Sequence, residues 1–212
     1  MNNKKSTFIL VALSFLLVVG LSVQVLAGET YKMACSLAIT GPTSDVGSPY
    51  AKGVEDYTRY VNDEKLLGDD KLITYVRDDG YKTEVTKRNF EEFLDEEIVF
   101  YLNYSTGSTM ALRQDFQEEK IPVLPASFHA GNLEGNDYVF LPIASYSSQA
   151  VGLAEYVAAN HKGSGKPKVA LFLHPSAFGR APRDDVQKSI DAGLGIDLVE
   201  IREWRWNASP DA

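Results

Sequence analysis

The sequence predicts an α/β protein of two lobes, each a doubly wound parallel sheet, with the second lobe and the C-terminal part of the first incomplete. Strand-like and helix-like segments alternate from Tyr31 onward, which is typical of parallel strands joined by covering helices. The strand-like runs are continuously apolar, as expected where both faces of a sheet are buried. A composition of 44% hydrophobic and 24% charged residues over 212 residues indicates a globular chain, neither disordered nor fibrous.

Residues 1–27 have the pattern of a signal for export. Two lysines precede an apolar run that begins at Phe8, and the sequence VLA at 25–27 offers small residues at the positions that a signal peptidase reads. The alternative is a transmembrane anchor, because the run is about as long as a bilayer is thick. Polar residues late in the run favour the signal. We therefore expect cleavage after Ala27 and a periplasmic location for the mature protein.

Residues 28–143 have the pattern of a first lobe with four strands. Continuous apolar runs predict strands at 33–39, 72–76, 98–102 and 121–124. Between these strands, apolar residues recur at helical spacing. The residues that mark these helices are Tyr50, Val54, Tyr57, Val61, Phe90, Phe93, Leu94, Leu112 and Phe116.

The alternation restarts in residues 144–212, which we interpret as part of a second lobe. An extended segment at 138–143 precedes the boundary, and a helix striped by Ala150, Leu153, Ala154, Val157 and Ala158 follows it. Strands are predicted at 169–173 and 196–201, with a helix after Pro182 between them. Two strands do not normally make a stable sheet, since three or more are needed. Either the sequence is a fragment of a longer chain, or a partner covers this sheet, and we expect a fragment.

Composition and spacing exclude several classes of function. A net charge of −8 disfavours nucleic acid as a partner, because phosphate binding needs clustered lysine and arginine. One cysteine and three scattered histidines argue against a zinc cluster or a disulfide framework, and we expect no cofactor. The GSGK sequence at 163–166 lacks the spacing of a phosphate loop and is followed by Pro167, so it is interpreted as a connector.

An enzyme is disfavoured by the absence of a recognisable catalytic group. A serine hydrolase of the G-x-S-x-G type needs a spacing that Gly107-Ser108 does not have. His129 and His174 each follow a strand, yet nothing in the sequence brings either one to a serine. A small secreted hydrolase that uses Ser105 or Ser108 is kept as the alternative from another functional class.

Hydroxyl-bearing residues follow several of the predicted strands. In open parallel sheets, ligands bind beyond the carboxyl ends of the strands, and hydroxyls with free N–H groups favour a small anion such as a carboxylate. The alternative is ordinary capping of the next helix by serine and threonine. The residues concerned are Thr40, Thr43, Ser44 and Ser48 after the first strand, Ser105, Thr106, Ser108 and Thr109 after the third, and Ser127 after the fourth.

Four segments together resemble the type I periplasmic solute-binding proteins, and most closely the group that serves branched-chain amino acid and amide transporters. The first is ITGP at 39–42, with Gly47 and Gly53 behind it. The next two are YSTGST at 104–109 and IPVLPA at 121–126, and the last is the apolar strand at 169–173 with Phe178-Gly179. The resemblance covers residues 31–206.

The resemblance implies a protein that closes two lobes on a small carboxylate-bearing solute, such as an amino acid or amide, and delivers it to an ABC permease in the membrane. It implies a ligand-binding role for Val46, Tyr104, Ser105, Thr106, Ala126, Ser127, Phe128 and Phe178. Phe128 stands where amino-acid binders often have threonine, which departs from the family pattern. The ligand-sensing ectodomain of a receptor on the same fold is the alternative within this family.

Overall fold

The structure, a computed structural model, describes residues 28–204. Residues 1–27, which hold the expected export signal, and residues 205–212 lie outside the described residues. Between residues 28 and 204, none of the helices combines the length and the apolar character needed to cross a membrane.

Strands and helices alternate along the described chain. The strands are β1 (Thr30–Leu37), β2 (Lys71–Asp78), β3 (Phe100–Asn103), β4 (Val123–Pro125), β5 (Lys168–Leu173) and β6 (Asp197–Glu203). The helices are α1 (Ser44–Asp63), α2 (Thr83–Leu94), α3 (Thr106–Ala111), α4 (Arg113–Glu119), α5 (Tyr146–Asn160), α6 (Ala177–Arg180) and α7 (Arg183–Asp191). A 3-10 helix covers Ala130–Leu133.

The first sheet has the strand order β2-β1-β3-β4, and its pairs are all parallel. Cys35 of β1 is paired with Val76 on one side and with Leu102 on the other. From β1 the chain moves through α1 to the β2 edge, and from β3 it moves through α3 and α4 to the β4 edge. The strand order therefore reverses between β1 and β3, and this is the point where such sheets open a crevice for a ligand.

One face of the first sheet carries an aromatic core. Phe90 and Phe93 of α2 and Phe116 of α4 surround Tyr101 of β3, with ring centroids 5.1 Å apart for Phe90 and Tyr101. The Phe90 and Phe116 rings meet edge to face at 5.0 Å. Aromatic pairs at these separations stabilise a core beyond the area that they bury. This core fixes the β3 strand, whose end leads into the cavity described below.

The opposite face of the first sheet is only partly covered. Ala51 of α1 packs on Cys35 and Leu37, and Leu102 of β3 joins this cluster. Beside α1 lies an apolar groove of about 580 Å³, whose walls include Tyr57 and Phe100.

The second sheet pairs β5 with β6 in parallel, and α5 packs against α7 beside it. Val186 of α7 and Ile196 are both buried. Successive residues of a strand point to opposite faces. In β5 the buried Leu173 therefore lies on one face, and Phe172, which is 67% exposed, lies on the other. The second sheet thus leaves one face in solvent, where Phe172 lies beside Arg202 of β6.

The two parallel sheets confirm the predicted α/β fold class, with differences in detail. The first strand begins at Thr30 and ends at Leu37, earlier than predicted, because the N–H of Ile39 turns back to the carbonyl of Leu37 at 2.9 Å. The helix predicted around Leu112 is two helices that meet at this residue. Residues 138–143, predicted to be extended, form a single bridge at the edge of the first sheet, between Val139 and Val123. The lobe boundary at residue 143 stays a prediction.

Candidate functional site

A cavity of about 600 Å³ lies at the carboxyl ends of the strands of the first sheet, and residues that precede and follow β5 close its other side. This is the crevice that the reversal of strand order predicts. Its walls are built by Pro42, Thr43, Ser44, Asp45, Val46, Tyr50, Tyr81, Tyr104, Thr106, Ala126, Tyr146, His174 and Phe178.

The loop after β1 forms one wall because Gly47 lets α1 begin very close to the end of the strand. A Cβ atom at residue 47 would lie 2.0 Å from the carbonyl oxygen of Ala38, so only glycine allows this approach. The first turn of α1 then presents Asp45 and Val46 to the cavity. Val46 therefore lies in the cavity wall, and its contact with a ligand stays a prediction.

The turn after β2 places Tyr81 in the cavity wall, and the buried carboxylate of Asp79 holds this turn in place. Asp79 accepts a hydrogen bond from the Tyr81 N–H at 2.8 Å and another from the hydroxyl of Thr86 at 2.9 Å. Burial raises the pKa of the Asp79 carboxyl, although both hydrogen bonds act against this rise. Tyr81 has a φ of 63°, in the left-handed region that a non-glycine residue seldom adopts. Asp79 therefore holds a strained backbone that points a tyrosine at the ligand space.

Ser105 is engaged as the cap of α3. Its hydroxyl oxygen accepts the N–H of Ser108 at 3.1 Å and lies 3.0 Å from the hydroxyl of Ser108. Both serines are buried, and neither belongs to the cavity wall. A ligand role for Ser105 stays a prediction, because this hydroxyl already satisfies the start of a helix.

Thr106 lies in the cavity wall at the end of a chain of buried hydrogen bonds. The amide nitrogen of Asn132 donates to the Ser127 carbonyl oxygen at 3.1 Å and to the Ser127 hydroxyl oxygen at 3.3 Å. A carbonyl oxygen can only accept, so the nitrogen and not the oxygen of the Asn132 amide faces Ser127. Ser127 in turn donates to the hydroxyl oxygen of Thr106 at 2.7 Å. The proton of the Thr106 hydroxyl is left for an acceptor in the cavity.

Aromatic rings from both halves of the chain meet at the far side of the cavity. Tyr146 packs on Phe128 with ring centroids 5.5 Å apart, and on Phe178 of α6 at 5.0 Å, edge to face. The Tyr146 hydroxyl donates to the carbonyl oxygen of Ala126 at 3.3 Å. Tyr146 and Phe178 line the cavity, whereas Phe128 stands behind Tyr146. The predicted residues 126, 128 and 178 are thus brought together, with Tyr146 among them.

A second group of rings lines the side nearest α1. Tyr104 lies between Tyr50 and Tyr81, with centroid separations of 6.2 Å and 6.1 Å. Burial raises the pKa of Tyr104, and the negative charges of Asp45 and Asp79 raise it further. Among the described residues, those of the cavity wall include neither lysine nor arginine, and Asp45 is the one acidic side chain there.

Sequence reasoning missed Asp45, Tyr50, Tyr81 and Tyr146. The signal for Tyr81 was its place directly after the Asp78-Asp79-Gly80 turn at a strand end. The signal for Asp45 was its place in the same loop as Val46.

Between residues 28 and 204, the serines proposed for hydrolysis do not line this cavity. Ser105 and Ser108, the serines of the hydrolase alternative, are absent from the wall. His174 does line it, and its Nδ1 atom lies 2.8 Å from the hydroxyl of Ser176, which also caps α6. In the part of the chain that the structure describes, no three His, Cys, Asp or Glu side chains cluster in a way that could hold a metal ion.

Comparisons with solved structures show that this chain is similar to proteins of ABC transporters. A branched chain amino acid ABC transporter from Thermus thermophilus, crystallised with bound valine, is 43% identical and superposes with a TM-score of 0.78. The match covers 84% of this chain and 47% of that one. A substrate-binding protein of an ABC transporter from Aeropyrum pernix is 26% identical, with a TM-score of 0.77 and coverage of 86% and 48%.

A third structure, a possible leucine/isoleucine/valine-binding protein from Rhodopirellula baltica SH 1, shares the fold at 21% identity and a TM-score of 0.70. That match covers 87% of this chain and 51% of the other. The chain thus spans about half the length of the solved structures that it matches. Comparison with curated proteins gives no match.

The family described as periplasmic binding protein matches residues 30–203, a span that contains all six strands and the whole cavity wall. The resemblance drawn from the sequence is therefore confirmed, and so is the type I fold, an α/β fold with parallel strands. The chain belongs to the periplasmic binding protein family.

Proposed function

We propose that this protein is the exported solute-binding component of an ABC importer and that it binds a small carboxylate-bearing solute, such as an amino acid or amide. The observation that carries the proposal is the cavity at the reversal of strand order, with the hydroxyl of Thr106 in its wall. The valine bound to the Thermus thermophilus transporter, at 43% identity, supports a ligand of this class.

Thr106 suits a carboxylate because its proton has no acceptor in the hydrogen bonds that surround it. Ser127 already donates to the Thr106 oxygen at 2.7 Å, so the proton of the Thr106 hydroxyl is free to be donated toward the cavity. Hydrogen bonds to a charged acceptor are stronger than those between neutral groups, and a buried donor gains most from them. Ser127 supports the ligand from behind Thr106 in this proposal.

The two opposing walls of the cavity come from different halves of the chain. Phe178 and His174 come from the second half of the chain, and Val46 and Tyr104 come from the first. A solute that touches both walls binds the closed arrangement more tightly than the open one, and this difference in affinity favours closure. We propose that residues 28–143 and 144–212 form the two lobes that close.

Binding without catalysis is part of the proposal. The wall provides hydroxyl, aromatic and carboxylate groups, and the candidate serines lie outside it. Transport also requires a permease in the membrane, which the transporter neighbours suggest as the partner. Cleavage after Ala27 would deliver the mature chain to the periplasm.

A calorimetric titration of the purified full chain tests the proposal. We expect binding of valine, leucine or a short branched carboxylate, and a loss on Thr106→Val of roughly 1.5–3 kcal/mol. That range corresponds to about ten- to a hundred-fold in affinity. Ser164→Ala in the exposed connector is the control and should leave affinity unchanged. Equal affinities for Thr106→Val and the parent would overturn the carboxylate site, and ester turnover by the parent chain would overturn binding as its function.

A further inference from the structure

The described part of the cavity wall carries an unbalanced negative charge. Between residues 28 and 204, Asp45 is the one acidic side chain in its wall, and neither lysine nor arginine stands there. A solute that carried only a carboxylate would therefore meet negative charge without a compensating cation, and the repulsion is significant at close range. A solute with a positive group beside its carboxylate would meet a complementary wall.

Asp45 is available to such a positive group. Its side chain is exposed in the first turn of α1 and makes no ion pair or hydrogen bond with another side chain between residues 28 and 204. Asp56, about three turns further along the same helix, is instead paired with Arg59. An acidic residue in a first turn also interacts well with the helix dipole. That effect does not explain why this carboxylate belongs to the wall of a cavity.

Tyrosine rings surround the same corner of the cavity. Tyr50 and Tyr104 line it beside Asp45, with their ring centroids 6.2 Å apart. The charge of Asp45 is close enough to Tyr104 to help raise the pKa of its hydroxyl. Aromatic faces attract ammonium groups, and they do so more strongly where water is excluded.

We infer that Asp45, with the rings of Tyr50 and Tyr104, binds the ammonium group of the solute. This rests on the proposed function and narrows it: the solute is a zwitterion, with its carboxylate at Thr106 and its ammonium at Asp45. Asp45 is then a specificity-determining residue that separates amino acids from simple carboxylates of the same shape.

Three probes of matched shape separate the two ends of the site. Leucine carries both charged groups, 4-methylpentanoate lacks the ammonium, and 3-methylbutylamine lacks the carboxylate. Each is titrated into the full chain by calorimetry, and by NMR where affinity is millimolar. The variants are Asp45→Asn, Thr106→Val and Glu55→Gln. Glu55 is exposed on the same helix outside the cavity, so its variant reproduces the change of charge alone.

We expect the parent chain to bind leucine more tightly than 4-methylpentanoate and to bind the amine weakly. Asp45→Asn should lower the affinities for leucine and for the amine by about tenfold, the effect of losing one bond to a charged group. The affinity for 4-methylpentanoate should stay the same or rise, because a repulsive charge is removed. Glu55→Gln should change none of the three affinities.

The titrations with the three probes test the role of Asp45 separately from the proposed function. The inference is overturned if the amine does not bind the parent, if Asp45→Asn leaves leucine unaffected, or if that variant weakens 4-methylpentanoate as much as leucine. The proposed function is overturned if neither carboxylate probe responds to Thr106→Val, and the amine arm still decides the role of Asp45 in that case. Thermal melts of each variant show whether a loss of binding reflects a loss of folding.

Discussion

Asp78 and Thr40 join the ends of two neighbouring strands. The Asp78 carboxylate accepts both the N–H of Thr40, at 3.0 Å, and its hydroxyl, and also the N–H of Gly80 at 3.0 Å. Desolvation opposes ionisation of this carboxyl, yet the hydrogen bonds prevail and its pKa is lowered. The pair therefore fixes the separation of the two loops that carry Asp45 and Tyr81.

Asp78→Asn should destabilise the protein near neutral pH. A carboxyl whose pKa is lowered by folding contributes stability above its unfolded pKa, and this contribution is lost as the pH falls. Asp78 is exposed, so solvent screening limits the loss to about 1 kcal/mol or less. Urea denaturation at about pH 7 should show the difference, and it should shrink toward about pH 3. Asp63→Asn, an exposed residue without a side-chain hydrogen bond to the described chain, is the control; an equal loss there would contradict the role of Asp78.

Ser105 and Thr106 are neighbours with separable effects. Ser105→Ala should lower the free energy of unfolding by about 1 kcal/mol, because α3 loses its cap, and should leave ligand affinity unchanged. Thr106→Val should do the reverse and mainly weaken binding of leucine. Denaturation and calorimetry on the same samples measure both quantities. A Ser105→Ala variant of full stability and reduced affinity would instead support the direct ligand contact that the resemblance implies.

The free energy of unfolding should fall at alkaline pH, because the Cys35 thiol is buried. Burial raises the pKa of this thiol from 9.0 to about 12, so the folded state keeps the proton that the unfolded state releases. A raised pKa of this kind contributes stability below the unfolded value and loses it as the pH rises, by about 1.4 kcal/mol at about pH 10.

Urea melts of the parent and of Cys35→Ala at about pH 7.5 and about pH 10 isolate the contribution of the thiol. The parent should lose more stability than the variant over this interval. In the folded parent, the thiol should also resist a disulfide reagent until denaturant is added. Rapid labelling under native conditions would show that the thiol is accessible.

Phe172 should promote self-association. It is 67% exposed on the open face of the second sheet, and a large apolar ring held in solvent on a strand favours contact with another chain. Phe172→Lys should shift the protein toward a monomer in sedimentation experiments over a range of concentrations. Leu66→Lys, at a residue that is also exposed but lies in the turn after α1, is the control. A parent chain that stays monomeric at all concentrations would contradict this prediction.

Local patterns in the sequence were sufficient for the fold, because the buried strands are continuous apolar runs. The runs around Cys35, Leu102 and Val169 each mark a strand of the structure. Strand ends were less predictable, because they depend on single turns such as the one between Ile39 and Leu37.

The cavity was predictable only in outline. Thr106 and Phe178 could be placed at strand ends, and helix capping was one expected role for the hydroxyls. The sequence does not show which of them, Ser105 or Thr106, caps the helix and which lies in the cavity wall. Tyr81 depends on a left-handed backbone held by Asp79, and Tyr146 depends on contacts with rings distant in the chain. These features arise from tertiary packing, which overrides local pattern.

The hydrogen bonds from Asn132 through Ser127 to Thr106 have a fixed direction, and this direction has a consequence for the chemical state of the cargo. The last group in the series, the Thr106 hydroxyl, donates a proton, so it binds an ionised carboxylate more strongly than a neutral carboxylic acid. Capture would then decline in acidic surroundings along the titration curve of the solute itself. The protein would follow external acidity without any titrating group of its own in the series.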